Sequence, residues 1–447
     1  MVGRTNMDPD NGFARNDTST GGHNRLSGLS TQDLHSRLIS GLDLSKIGSM
    51  TDDQIRTEIR EAAGELCSLS SSLLTAGDRE RLVNEVMDEA FGLGPLEGLL
   101  RDPTISDILV NGPNVVYVER RGRLELTDVK FADEPHLLQI IQRIVSRVGR
   151  RIDETSPIAD ARLADGSRVN AIIPPLALDG SLLCIRRFAA KPLKAEDLIA
   201  KQSIAPEMIE FLAGCVQARR NMLISGGTGS GKTTFLNLMS GYIPHDERIA
   251  TIEDAAELRL QQPHVVRMET RPPNIEGQGQ ILMRDLVRNA LRMRPDRVVI
   301  GESRGPEALD MLQAMNTGHD GSMTTLHAND TRDALSRMEM MVGMAGFDMP
   351  MWVIRKQIAS AVHIVVQAAR LSGGVRKITK ISEITGMEGD VISMHDLFVF
   401  KQTGLDSNRV AQGHFSSTGI RPKCLEHLEV MGVHLRPEIF EGGTLNF

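Results

Sequence analysis

The sequence predicts an α/β protein whose second half is a mostly parallel sheet covered by helices and whose first half holds a smaller α+β domain. Two observations lead to this prediction. Between about residues 206 and 369, short apolar runs typical of buried strands alternate with segments of helical periodicity. One of these runs, 221–225, leads into a glycine-rich loop that is followed by a helical pattern.

Composition limits the classes of function. The 447 residues carry a formal net charge of −7 and only 3% are aromatic, which disfavours a nucleic-acid partner because such partners need basic and stacking surfaces. The four cysteines form no C-x-x-C pair that would hold zinc. No apolar run approaches the ~20 residues that span a bilayer, and the N-terminus has no apolar signal core. We therefore expect a cytoplasmic protein with reduced thiols.

The N-terminal part of the chain changes character near residue 33. Residues 1–32 are rich in Asn, Asp, Gly, Ser and Thr, and we expect a disordered tail there. Residues 33–100 are predicted to be helical, since Leu82, Val86 and Ala90 recur at helical spacing. This segment could pack within its own domain or bind a partner, and the pattern leaves both interpretations open.

Residues 101–188 favour short strands and turns with one helix near 137–148, which predicts an α+β domain. The composition of residues 189–205 is typical of a linker. The second domain is predicted over 206–447, and two strand-like runs between 378 and 400 extend its sheet.

The pattern G-x-x-x-x-G-K-[ST] predicts a phosphate-binding loop. Its residues are Gly226, Gly227, Thr228, Gly229, Ser230, Gly231, Lys232, Thr233 and Thr234. Glycines let backbone N–H groups surround phosphates, Lys232 reaches the β and γ oxygens, and the Thr233 hydroxyl ligates Mg²⁺. A flexible Gly/Ser turn is the alternative, but it needs neither the strand before the loop nor the helix after it. The sequence therefore predicts that ATP or a similar nucleotide binds here.

Two acids are predicted at strand ends, where ligands bind to parallel sheets. Glu302 follows the apolar run 297–300, and Glu253 ends the run 249–253. A carboxylate beside the γ-phosphate can hold Mg²⁺ and orient the attacking water, and we assign both functions to Glu302. The alternative is that either acid is an ordinary solvated residue after a strand.

Histidines and arginines complete the candidate site. His319 and His327 bracket a short strand-like segment, and His327 at its end could hydrogen-bond the γ-phosphate; a structural histidine is the alternative. Arg162 and Arg168 lie in the first domain and suit phosphate because the guanidinium is planar and permanently charged. By spacing alone, surface salt bridges are the better interpretation for the arginines.

The ordered set GGTGSGKTT, TIEDAAEL, LRMRPDRVVIGESRGPEA and TGHDGSMTTLHAND resembles the secretion ATPases of the type II/type IV secretion and pilus superfamily. Within it, ETRPPNIEGQGQILMRDLVRNALRMRPD and KITKISEITGMEGDVISMHDLFVF resemble the CpaF family of Tad (Flp) pilus-assembly ATPases. Some pilus and type II relatives carry a four-cysteine zinc module that the scattered cysteines here cannot build.

This resemblance implies a RecA-like P-loop domain and a site assembled from both domains. It implies the Walker A loop at 226–234, Glu253 in an acidic box, Glu302 as the catalytic Walker B glutamate, and His319 and His327 as the His box. The first domain would fold over ATP and Mg²⁺ and contribute arginines, which matches Arg162 and Arg168. A ring of six subunits at the cytoplasmic face of the inner membrane, bound to platform proteins of a pilus or secretion machine, is also implied.

Two functions of other classes remain alternatives to an ATP-hydrolysing motor. The first is a nucleic-acid translocase, because RecA-like cores also serve helicases. The second is a regulatory nucleotide switch without a power stroke. Stimulation of turnover by DNA would favour the translocase, and turnover without membrane partners would separate the motor from the switch.

Overall fold

The computed structural model describes residues 54, 57–58, 60–62, 64–65, 76–120, 122–187, 193–273 and 278–445. The tail predicted over 1–32 lies outside these residues. The chain divides into two compact units, 1–98 and 99–447. Within the described ranges, no helix combines the length and the apolar character that crossing a bilayer requires.

The first unit is helical where it is described. The described residues between 54 and 65 are helical, and helix α1 spans Ala76–Phe91. A short 3-10 helix, Gly94–Leu96, follows it, and helix α2, Glu97–Arg101, begins at the end of the unit. The helix predicted around Ala90 is confirmed, and Ala90 is half-buried. The side chains of Leu82 and Val86 lie outside the described residues.

The second unit begins with an antiparallel sheet of six strands, in the order β3-β2-β1-β6-β5-β4. The strands are β1 Ile105–Asn111, β2 Val116–Arg120, β3 Arg123–Leu126, β4 Ile158–Arg162, β5 Arg168–Ile172 and β6 Leu182–Arg186. Helix α3, Glu134–Arg147, buries Leu137, Ile140 and Ile144 at helical spacing, and the Asp133 carboxylate caps it by accepting from the backbone N–H of His136. This sheet and α3 form the first lobe.

The second lobe, residues 193–445, contains a ten-stranded sheet in the order β16-β15-β14-β13-β12-β7-β11-β10-β8-β9. Its strands are β7 Met222–Gly226, β8 Ile249–Glu253, β9 Val265–Glu269, β10 Arg297–Ile300, β11 Met323–Leu326, β12 Ile364–Arg370, β13 Arg376–Glu388, β14 Val391–Leu405, β15 Ala411–Ser417 and β16 Gly443–Thr444. Strands β7 to β12 pair in parallel, and β12 to β16 pair antiparallel. The predicted α/β class and the predicted strand extension are confirmed.

Helices cover both faces of this sheet. They are α4 Ala195–Ala200, α5 Pro206–Gln217, α6 Lys232–Ser240, α7 Met283–Ala290, α8 Glu307–Asn316, α9 Thr331–Gly343, α10 Met351–Ala361 and α11 Leu425–Val430. Successive strand residues face opposite sides. Met222 and Ile224 therefore enter one core with α5 and α6, while Leu223 enters the other with α8, α9 and α10.

The segment predicted as a linker, 189–205, contains a helix. In this helix, α4, Leu198 and Ile199 pack against the core of the second lobe. Asp197 stabilises the start of this helix, because its carboxylate accepts from the backbone N–H of Lys194 at 2.8 Å. Its first part, 189–192, lies outside the described residues.

Candidate nucleotide site

The phosphate loop takes its shape from local contacts. Gly226 ends β7 so close to β12 that a Cβ atom there would clash with the carbonyl oxygen of Ala368. Gly231 precedes helix α6 with φ 95°, a conformation that glycine adopts without strain. Gly227, Thr228 and Gly229 are exposed between these fixed points. The loop is therefore held at both ends and accessible to a ligand in its middle.

Lys232 occupies the first position of α6 and is buried inside the loop. Its ammonium donates to the carbonyl oxygens of Gly226 at 3.0 Å and Gly227 at 3.1 Å. Burial lowers the pKa of Lys232, and the negative charge of Glu302 opposes this shift. Of the residues after Lys232, Thr233 is half-buried and Thr234 is exposed. The Ser230 hydroxyl is buried and has no hydrogen-bond partner among the described residues.

The strand order brings Glu302 and His327 to Lys232. Strands β7, β11 and β10 are consecutive parallel neighbours, so the residues that follow them meet at one edge of the sheet. Nε2 of His327 lies 3.0 Å from Oε1 of Glu302, and both ring nitrogens lie 3.5 Å from Nζ of Lys232. Burial and the charge of Lys232 lower the pKa of His327, which keeps the imidazole neutral at pH 7.

Arg304 lowers the pKa of Glu302 through a hydrogen bond and its positive charge. Its Nη2 donates to Oε2 of Glu302 at 2.9 Å. Burial would raise the pKa of Glu302, but the hydrogen bond and charge of Arg304, together with His327 and Lys232, outweigh burial and leave this pKa lowered. Glu302 is therefore ionised at neutral pH. Arg304 was not among the site residues predicted from the sequence, although its position two residues after Glu302 was a usable signal.

Glu253 is buried at the end of β8, against the residue that precedes Glu302. A Cβ atom on Gly301 would lie 2.8 Å from its Cγ. Oε2 of Glu253 accepts from the backbone N–H groups of Glu257 at 2.7 Å and Leu258 at 3.0 Å, whereas Oε1 is buried and has no partner within the described part of the chain. Burial raises the pKa of Glu253. One carboxylate oxygen thus shapes the following loop and the other remains for a water or ligand.

His319 and His327 lie at opposite ends of β11. His327 follows the strand, while His319 precedes it, near the end of α8, where its backbone N–H donates to the carbonyl oxygen of Ala314. The structure does not bring His319 to Lys232. Its Nδ1 is buried and unpartnered in the described ranges. A part for His319 in nucleotide chemistry stays a prediction.

Arg162 and Arg168 are cross-strand neighbours at the β4–β5 turn and contact the second lobe. Nη1 of Arg162 lies 2.7 Å from Oε2 of Glu269, and its Nη2 donates to the carbonyl oxygen of Ala256 at 3.1 Å. Arg168 donates to the carbonyl oxygen of Ala255, and its Nη1 lies 3.1 Å from Oε1 of Glu257. Both arginines thus bind the segment that follows Glu253 rather than the phosphate loop.

These contacts border a cleft of about 940 Å³ between the lobes. Its lining includes Arg162, Arg168, Asp254, Glu269 and Arg304. Nη1 of Arg304 lies 3.8 Å from Oδ2 of Asp254, and its Nη2 holds Glu302. Arg304 therefore connects the cleft to the phosphate-loop edge of the sheet.

The oxygen donors at this edge suit Mg²⁺. Thr233 offers a hydroxyl in the first turn of α6, and Glu302 offers an ionised carboxylate. Among the described residues, no group of three or more His, Cys, Asp or Glu side chains is arranged to hold a metal ion by itself. Mg²⁺ is commonly bound in proteins through one or two side chains together with substrate phosphates and water.

The chain is similar to several known proteins. The model of the family described as type II/IV secretion system protein matches residues 89–413. A putative conjugal transfer protein of Mycobacterium tuberculosis is 40% identical over 325 residues, covering 70% of this chain and 91% of that protein. The type IV secretion system protein VirB11 of Bartonella henselae is 30% identical, covering 65% and 91%. A crystal structure of the VirB11 ATPase from Brucella suis with sulphate is 29% identical, covers 66% and 97%, and superposes with a TM-score of 0.36.

Proposed function

Because the chain belongs to the type II/IV secretion system ATPase family, we propose that it hydrolyses ATP at the phosphate loop as an oligomeric motor of a Tad (Flp)-type pilus or secretion machine. The observation that carries the proposal is the convergence of Lys232, Glu302 and His327 at one edge of the sheet. These residues supply a cation, an ionised carboxylate and a neutral imidazole beside a loop built for phosphate.

Each side chain has a separate part in the proposed reaction. Lys232 exchanges the loop carbonyls for β- and γ-phosphate oxygens. Glu302 orients the attacking water for in-line displacement, and His327 hydrogen-bonds the γ-phosphate from its neutral ring. Thr233 and Glu302 would hold Mg²⁺, which when bound neutralises charge on the phosphates.

Arg162 and Arg168 would complete the site from the first lobe. Their present partners are carbonyl oxygens and the carboxylates of Glu257 and Glu269, all beside the buried Glu253. A γ-phosphate is a stronger partner for a guanidinium than a partly exposed carboxylate. ATP would draw both arginines toward Glu302 and close the cleft, and loss of the γ-phosphate would release them. Permanent ion pairs between the lobes are the alternative.

The assembly is inferred from the family and the sequence. The curated relatives are named for type IV secretion and conjugal transfer, and the runs at 269–296 and 377–400 support the CpaF-like branch. We propose a homohexamer at the cytoplasmic face of the inner membrane, attached through platform proteins and not through nucleic acid. Sedimentation analysis with ATP should give the mass of six chains.

Phosphate release from ATP by the full chain, measured with and without Mg²⁺ and DNA, tests the enzymatic part. We expect Mg²⁺-dependent turnover that DNA leaves unchanged. Stimulation by DNA would favour the translocase, and absence of turnover at any chain concentration would favour a nucleotide switch. In cells that encode this chain, deletion of its gene should abolish Tad-type pili, and the wild-type gene, unlike a Lys232→Ala copy, should restore them.

A further inference from the structure

Two arginines that the proposed chemistry does not use contact the phosphate loop. Arg370 ends β12 and Arg376 begins β13, and the two are cross-strand partners in the antiparallel hairpin. Strand β12 pairs in parallel with β7, with Ala368 opposite Gly226. The turn between β12 and β13 therefore extends beyond the sheet beside the start of the phosphate loop, which follows β7.

The contacts with the loop are direct. Nε of Arg376 donates to the carbonyl oxygen of Gly229 at 2.8 Å. A Cβ atom on Gly229 would lie 3.4 Å from Nη1 of Arg370, and one on Gly231 would lie 3.5 Å from Cδ of Arg376. Two permanent positive charges thus lie against the segment whose N–H groups are expected to surround phosphates.

A carboxylate of the first lobe faces both arginines. Glu119 of β2 is only 16% exposed, and its Oε2 and Oε1 each lie 3.7 Å from a guanidinium nitrogen, of Arg370 and Arg376 respectively. Nη2 of Arg370 also donates to the carbonyl oxygen of Gly122, beside the β2–β3 turn, at 2.6 Å. The strand hairpins of the two lobes therefore meet at a cluster of one negative and two positive side chains.

The distances indicate that Glu119 is a weaker partner for Arg370 and Arg376 than a phosphate group. At 3.7 Å, Glu119 is close enough for charge attraction but too far for a hydrogen bond. The guanidinium groups are 33% and 44% exposed, and ion pairs of this kind contribute little to stability. Phosphate oxygens form short, paired hydrogen bonds with guanidinium. Exchange of Glu119 for phosphate is therefore favourable for Arg370 and Arg376.

We propose that Glu119 is an exchangeable counter-ion for Arg370 and Arg376, which nucleotide phosphates displace, so that this carboxylate weakens nucleotide binding. The proposal rests on the proposed function in taking the ligand to be a nucleotide. Displacement of Glu119 also removes one of the contacts between the lobes, so that occupancy of the loop is coupled to the β2–β3 turn of the first lobe.

Titration of the full chain with fluorescently labelled ADP tests the proposal. The variant Glu119→Gln should bind ADP about 5-fold more tightly than the wild type, which corresponds to the lower end of coupling between linked sites. The matched control is Glu125→Gln, a glutamate of the neighbouring strand that pairs with Arg120 at 3.2 Å. It should leave the Kd unchanged. Equal or weaker binding by Glu119→Gln overturns the proposal.

A second measurement separates ion exchange from a general structural effect. In an Arg370→Ala/Arg376→Ala background, ADP should bind more weakly and Glu119→Gln should no longer tighten binding. Inorganic pyrophosphate, measured as a competitor of labelled ADP, should show the same increase in affinity for Glu119→Gln as ADP does, because the contact is with phosphate. The exchange is overturned if Glu119→Gln still tightens ADP binding without the arginines, or if Glu119→Gln does not tighten the binding of pyrophosphate. A wild-type chain that binds neither ligand contradicts the proposed function itself.

Discussion

The phosphate loop and the interlobe cleft obtain their geometry in different ways. The loop is formed by consecutive residues between β7 and α6, and its shape depends on glycines and on one packed lysine. The cleft is formed by residues that are distant in sequence: Arg168 donates to the carbonyl oxygen of Ala255, 87 residues away, and Arg162 donates to the carboxylate of Glu269, 107 residues away. We infer that nucleotide binding is a local property, whereas hydrolysis depends on the placement of two lobes.

The largest expected effect comes from the loop itself. Lys232→Ala removes the cation that the loop holds for the β- and γ-phosphates, so both ATP binding and turnover should fall, and phosphate release should become undetectable. The matched control is Lys356→Ala, an exposed lysine on α10. Wild-type turnover by Lys232→Ala would show that the loop is not the catalytic site.

The next effect concerns the cleft. The double variant Arg162→Ala/Arg168→Ala should bind ATP with nearly wild-type affinity but lose turnover by about 10³-fold or more, as expected for arginines that stabilise transferred phosphoryl charge. Arg186→Ala is the control, because Arg186 lines the same cleft but pairs with Asp107. Equal kcat for the double variant and the control would identify Arg162 and Arg168 as structural ion pairs.

Glu302→Gln tests the residue that lies between the phosphate loop and the interlobe cleft, where Arg304 binds it. It keeps the shape of the side chain but removes the charge that orients water, so turnover should fall by about 10²- to 10⁴-fold while ATP affinity persists. Parallel binding and phosphate-release assays check this, with Glu388→Gln at the exposed end of β13 as control. Parallel loss of affinity and turnover would make Glu302 a structural acid.

A smaller effect concerns the stability of the second lobe. Burial, followed by the charges of Arg220 and His427, lowers the pKa of His363 from 6.5 to about 4. Its neutral Nδ1 accepts from the backbone N–H of Asn221 at 3.0 Å. The neutral ring is favoured in the folded state. The contribution of His363 to the free energy of unfolding is therefore complete above pH 6.5 and is lost as the pH falls toward 4. At about 1.4 kcal/mol per unit, the loss approaches about 3 kcal/mol.

Chemical denaturation at pH 7.5 and pH 4.5 measures this loss. His363→Asn keeps an acceptor but does not titrate, so its free energy of unfolding should fall less between the two pH values than that of the wild type. His395→Asn, at an exposed position on β14, should behave like the wild type. An identical fall for His363→Asn and the wild type would show that His363 does not titrate in this range.

The sequence was sufficient for the features that depend on neighbouring residues. The strand, loop and helix around Lys232 follow from local spacing, and Glu302 and His327 follow from the rule that ligands bind at the carboxyl ends of parallel strands. It was insufficient for features that depend on strand order and on contacts between lobes. The partners of Arg162 and Arg168, and the cluster of Glu119 with Arg370 and Arg376, have no local signal. The resemblance grouped His319 with His327, and the strand-like segment predicted between them is β11, which places the two histidines at its opposite ends.

In the proposed reaction ATP closes the cleft, and Cys184 is a native reporter of this closure. It is exposed on β6 and lines the cleft with Arg162 and Arg168, whereas Cys215 and Cys424 are buried. In a Cys67→Ser background, the rate of Cys184 alkylation can be measured with and without ATP, using Glu302→Gln to prevent hydrolysis. Saturating ATP should slow alkylation, and Lys232→Ala should abolish the effect. An alkylation rate that bound ATP leaves unchanged would show that ATP does not close the cleft.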